Sequence, residues 1–305
     1  MFNGLVWRWR LPLLFAYLFK NKETLLNDAL MGVLLGLGSA FNYGVSDFFG
    51  GLSSRKIRTV SVLVTSQVIG IVTFLVLALL TNDIMPTQLE ALLSVIAGCL
   101  SILVGNLFYY ALSVGKMSVV APVAAVVTTS FPVVFAIVRE GAPDTLTFVG
   151  FALALISVWL VSTTEKLGAI EWKALTLPIL AGVIAGFMFI LIGYTTEKAT
   201  YTPLVILRVT SFVGNFMIAT TMGIPRIVPR ALFPLVLGTG LTSAIATIFF
   251  VLSAQVGRLD VASVLSALAP SVTVIMAAVI LKESVNRYQI AGIVLATFSI
   301  VLISI

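Results

Sequence analysis

The sequence predicts an all-α integral membrane protein, with ten transmembrane helices arranged as two inverted five-helix repeats. Three observations carry that expectation. Of the 305 residues, 60% are hydrophobic and 10% charged, whereas a soluble domain is about half apolar and about a quarter charged. No water-soluble fold has enough interior for so much apolar surface, so lipid must be the solvent. The apolar residues fall into ten runs, each about long enough to cross a hydrocarbon core. Finally, two stretches repeat each other: Gly115 pairs with Gly257 and Gly150 with Gly292, both 142 positions apart (257 − 115 and 292 − 150).

The repeat extends beyond the glycines. Val119, Ala125 and Ala136 match Val261, Ala267 and Ala278, and Leu153, Ala154, Ser157 and Leu160 match Leu295, Ala296, Ser299 and Leu302. Lys116 and Arg258 keep a cation after the first glycine, and Glu140 and Glu283 slip by one position. Apolar helices share composition by default, so the weight rests on the spacing rather than on single matches. Internal symmetry on this scale marks secondary transporters.

In chain order, residues 1–28 form an N-terminal interfacial segment. Leu11–Phe19 is apolar but too short to span, cations flank it, and Trp7, Trp9 and Tyr17 suit a headgroup layer. The ten spans follow at 30–52, 60–81, 91–113, 119–138, 145–163, 174–196, 203–222, 232–255, 261–281 and 288–305. Turn and charge chemistry separates them, as in R-K-I-R at 55–58 and E-G-A-P-D at 140–144. The longest polar connection, 164–173, divides a first repeat at 29–166 from a second at 174–305. Five spans per repeat is an odd number, so the second copy enters from the opposite face. G-V-L-L-G at 32–36 also matches G-V-I-A-G at 182–186, which sets Asp47 opposite Glu197 and Ser46 opposite Thr196. Small residues at this spacing serve close helix packing.

Composition excludes several chemistries. The net charge of +6 is spread over short loops, as topology determinants and headgroup contacts are, and does not form a nucleic-acid footprint. There is no histidine, which removes His-based metal sites, Ser–His catalysis and His proton relays. The one cysteine, Cys99, has no intrachain partner.

At this point the pattern resembles the drug/metabolite transporter superfamily, in particular its EamA branch. F-G-G-L-S-S-R at 49–55 looks like the end of that branch's first helix. Gly115–Lys116 through Pro122, with Glu140 and Gly150, look like its fourth and fifth helices, and Gly257–Arg258, Pro270, Glu283 and Gly292 repeat them. The resemblance covers roughly residues 29–305. It implies a carrier of small organic solutes in the cell membrane, metabolite or amino-acid efflux by alternating access, and both termini inside. The family often has an arginine early in the second helix of each repeat. Arg208 fills that place in the second half, and V-L-V-T-S-Q at 62–67 has none.

Substrate-binding candidates are the polar residues inside spans, because such residues face a cavity or another helix. They are Asn42, Tyr43, Ser46, Asn106, Tyr110, Thr128, Ser266 and Ser271. Asn42 and Ser46 share a helical face, as do Asn106 and Tyr110. The same groups also fit interhelical hydrogen bonds, and Tyr109 and Tyr110 fit an interfacial belt. Pro132 and Pro270 are candidate hinges, since proline frees a carbonyl one turn back; a static kink is the other reading. Asp47, Glu197 and Arg208 are the charges nearest the hydrocarbon. Glu197 and Arg208 are expected to attract each other, and Asp47 or Glu197 to couple transport to protons. As helix-end charges, the two acids also fit wet headgroups. No cofactor, metal or catalytic set is expected. The partners are a small-molecule substrate and the lipid bilayer, with no nucleic acid, and the carrier is a monomer or homodimer. A membrane-embedded enzyme needs a clustered catalytic set that is missing from the sequence, and a receptor or scaffold needs no paired repeat. With the amino terminus inside, the inner segments hold seven cations and the outer loops ten. That count leans toward external termini; the orientation adopted follows the resemblance.

Overall fold

A computed structural model of the chain describes residues 24–115, 117–162, 172–282 and 286–304. The expected interfacial helix before residue 24, Lys116, most of the 164–173 connection and Glu283 lie outside them. Every described element is helical: α1 (Thr24–Ser54), α2 (Thr59–Thr81), α3 (Gln88–Val114), α4 (Met117–Glu140), α5 (Thr145–Ser162), α6 (Trp172–Thr195), α7 (Thr202–Thr221), α8 (Phe233–Val256), α9 (Leu259–Ser266), α10 (Ala269–Ile280) and α11 (Arg287–Ser304). Among the described residues, seven stretches are long and apolar enough to cross a membrane, with α9 and α10 counted together. Val123–Arg139 in α4 and Thr145–Ser157 in α5 are shorter apolar segments.

Local chemistry sets the helix limits. Thr87 caps α3 in a capping box, accepting from the Glu90 N–H at 3.3 Å while Glu90 accepts from the Thr87 N–H at 2.7 Å. Asn82 ends α2 in the left-handed region at φ 49°, which asparagine tolerates better than most residues. α1 begins inside the expected 1–28 segment, because residues 24–28 continue its helix.

The packing has an order that composition alone does not contain. α1 lies against α8, and α6 lies against α3. α4 packs on α6, and α9 and α10 pack on α1. α2 crosses α7, and α5 pairs with α11. Exchanging α1–α5 for α6–α11 leaves this set of pairs unchanged. The glycines matched across the halves serve these contacts. A Cβ at Gly36 would come within 2.9 Å of the Leu265 side chain, and one at Gly186 within 2.9 Å of the Thr128 carbonyl and 2.8 Å of Phe131. The packing reading of these glycines therefore holds.

One difference between the halves is local. α4 runs unbroken through Pro132, whereas the corresponding second-half segment breaks at Ala267–Leu268 and resumes as α10 with Pro270 in its first turn. Kinks were expected at both prolines; only the Pro270 segment is interrupted. Proline is tolerated in a first turn, where its missing donor has no partner to lose.

The two ends of the bundle differ in charge. At the proximal end, where α1 begins, Asp83 carboxylate oxygens accept from the N–H groups of Thr200, Tyr201 and Thr202 at 2.7–3.1 Å. Arg139 pairs with Glu197 at 2.6 Å, and Arg258 donates to the Gly141 carbonyl at 2.8 Å while pairing with Asp260. At the distal end Ser61 donates to the Pro225 carbonyl, and Ile57, Met117, Val228 and Leu281 share one apolar cluster. Among the described residues the distal end carries Arg55, Lys56, Arg58, Lys173, Arg226, Arg230, Lys282 and Arg287 and no acid. Among the same residues the proximal end carries Asp28, Asp83, Glu90, Glu140, Asp144, Glu197 and Asp260 against Arg139, Lys198 and Arg258.

Candidate functional site

Between the halves lies a cavity of about 220 Å³, below the ~300–1,000 Å³ of pockets for drug-sized ligands. Its lining comes from α1–α4 and α6–α10, so both halves build it. Aromatic and aliphatic side chains form most of the wall, among them Phe108, Met188, Phe189 and Phe250. The lining also holds an acid, Asp47, and a base, Arg208, with polar side chains that include Gln67, Ser243 and Thr247.

Arg208 sits in the second turn of α7. Its Nη1 donates to Gln67 Oε1 at 3.1 Å, and its Nη2 to Ser243 Oγ at 2.9 Å and Thr247 Oγ1 at 3.5 Å. The guanidinium also lies 5.6 Å from the centre of the Phe74 ring. These partners are all neutral. They orient the planar fork without cancelling its charge, which arginine does not shed in proteins. Gln67 is held in turn, donating to Ser211 at 2.9 Å. Tyr43 bonds Thr247 at 3.1 Å and meets Phe189 edge-on at 6.0 Å.

Asp47 lies on α1 one turn after Tyr43. Among the described residues its carboxylate has no hydrogen bond and no ion pair, with Arg208 or any other cation. Its neighbour Ser46 donates to the Thr239 carbonyl at 3.1 Å and lies 3.5 Å from the Tyr109 hydroxyl. An intramembrane carboxylate without a partner is costly, and such groups mark sites that an ion or solute completes.

Of the residues singled out in the sequence, Tyr43, Ser46, Asp47, Thr128, Arg208, Ser266, Pro132 and Pro270 line the cavity. Ser266 there donates to Ser39 at 3.0 Å. Four of the substrate-binding candidates stand outside the lining. The Asn42 amide donates to the Gly38 carbonyl of its own helix at 2.9 Å, and Asn106 bonds Asn215 across α3 and α7 at 2.8 Å. Tyr110 is 53% exposed, while its neighbour Tyr109 is buried in the cavity wall. The Ser271 hydroxyl oxygen is buried and has no hydrogen-bond partner among the described residues. The expected attraction between Glu197 and Arg208 is corrected. Glu197 lies in the loop after α6 and pairs with Arg139 from the other half, both side chains nearly half exposed. Gln67, Ser243, Thr247 and Tyr109 were not among the candidates. Gln67 alone left a signal, since it closes the stretch aligned with Arg208.

Comparison with known proteins agrees with this architecture. Residues 172–305 match the EamA-like transporter family. An uncharacterized protein of Methanocaldococcus jannaschii is 29% identical over 140 residues, covering 44% of this chain and 97% of the relative. That relative is thus about half as long as this chain. One protein crystal structure superposes with a TM-score of 0.72 at 13% identity, over 89% of this chain and 95% of its own, a likeness of fold alone. The second half of the chain thus resembles the EamA-like transporter family.

Proposed function

We propose that the chain carries small organic solutes outward across the cell membrane by alternating access around the α1–α4/α6–α10 cavity. In this reading its ten spans are two inverted repeats, 29–166 and 174–305, and the halves rock against each other about the solute. The single observation that carries it is the cavity itself: both halves line it, and it holds an oriented guanidinium and an unpartnered carboxylate inside an apolar wall. The exchange symmetry of the helix pairs supports the rocking motion, because equivalent contacts exist on both sides of the cavity. Proton coupling falls to Asp47 rather than Glu197, whose carboxylate already has Arg139. The break before Pro270 serves as the hinge.

The test is flux of radiolabelled small solutes into proteoliposomes, with and without an imposed proton gradient. The expected result is saturable, gradient-stimulated flux in the parent, and flux that Asp47→Asn uncouples from the gradient while Glu197→Gln leaves it coupled. Equal gradient dependence of Asp47→Asn and the parent contradicts the coupling assignment.

A further inference from the structure

We propose that the solute is dipolar, with a carboxylate-class anionic group seated at Arg208 and a cationic group at Asp47. This rests on the cavity being the solute site. Two charges of opposite sign sharing a small low-dielectric space ordinarily pair. Here they do not. Arg208 is braced by Gln67, Ser243 and Thr247, which fix the direction of its fork, and Asp47 makes no hydrogen bond or ion pair among the described residues. Each charge is therefore left with coordination that a solute can complete, and a solute bearing one group of each sign completes both. Tyr43 and Tyr109 lie within electrostatic range of both charges, and their rings add a face that an ammonium favours. The apolar wall of Phe108, Phe189 and Phe250 takes the uncharged remainder. The guanidinium has five N–H donors and gives three bonds to Gln67, Ser243 and Thr247, so donors remain for an anionic oxygen. Asp47 accepts a proton or a cationic group but not both, so the two compete, which is the condition for exchanging one against the other.

The experiment uses matched probes on the purified full chain in nanodiscs. Each of several amino acids is compared with its deaminated acid and its decarboxylated amine, by competition against whichever labelled solute the reconstituted protein moves. The expected result is that at least one zwitterion competes about tenfold or more better than both of its single-charge analogues. Arg208→Gln removes its advantage over the amine, and Asp47→Asn removes its advantage over the acid. The proposal is overturned if a single-charge analogue matches its zwitterion in the parent, or if another solute class is moved and no zwitterion competes; the carrier reading then stands. Absence of flux for every solute overturns both.

Discussion

The two halves of this molecule agree in packing and disagree in charge. α1 against α8 has its counterpart in α6 against α3, and Gly36 and Gly186 admit equally close neighbours. At the cavity the correspondence stops. Where the second half offers Arg208, the first offers Gln67, and the two bond to each other at 3.1 Å. Asp47 lies inside the cavity, while Glu197, its match by sequence, sits in a loop and pairs with Arg139. The scaffold is constrained because each close helix contact needs a partner of matching shape. The cavity is not so constrained, and its charged groups differ between the halves.

The strongest way to break the comparison is to erase its charged partner. Arg208→Ala leaves Gln67, Ser243 and Thr247 without their donor. It should lower transport about 10–100-fold, the span expected when a hydrogen bond to a charged group worth ~1.5–3 kcal/mol is lost, as read by initial flux in proteoliposomes. Arg208→Lys should recover little of it, since an ammonium lacks the fork. Gln67→Glu sharpens the same contrast. It supplies Arg208 with an internal counter-ion that competes with an anionic group of the solute, and should raise the half-saturating concentration about tenfold with folding retained.

The scaffold predictions are smaller. Gly36→Ala and Gly186→Ala should each destabilise by about 1–3 kcal/mol, the ordinary cost of overpacking, and by similar amounts if the packing symmetry is real. Thermal unfolding in detergent measures both. Pro270→Ala should slow solute exchange more than Pro132→Ala, because only the former sits at a helix break.

The smallest effect belongs to a helix cap. Hydrogen bonds from the Thr147 side chain and backbone hold the Asp144 carboxyl below its ordinary range. Such a group binds its proton less readily when folded than when unfolded. Its stabilisation is therefore complete above the unfolded value of about 3.9 and fades as the pH falls through the folded value. Asp144→Asn should lower Tm slightly at neutral pH, and the difference should shrink below about pH 4.

Much of the scaffold was legible because lipid forces helices and leaves a plain hydropathy trace. The matched glycines raised the expectation of a repeat, and Asp47 and Arg208 stood out because charge inside a span is rare. What stayed hidden depended on angle rather than type. Adjacent helical residues point about 100° apart, so nothing in the sequence separated Tyr109, in the cavity wall, from Tyr110, on the outer surface. Asn42 satisfies its amide on its own helix, which a polar residue in an apolar run does as readily as it binds a solute. Glu197 was matched to Arg208 by depth alone, and the loops meeting at the proximal end gave it Arg139 instead. Ser243 and Thr247 read as ordinary span hydroxyls until α8 is laid beside Arg208.

Counterflow tests the account most directly. Proteoliposomes preloaded with an unlabelled transported solute are diluted into a trace of the same solute labelled. A cavity exposed to one side at a time predicts transient accumulation of label above equilibrium, abolished by Arg208→Gln at unchanged thermal stability. Label entry that is indifferent to the internal solute, or undiminished in that variant, contradicts it.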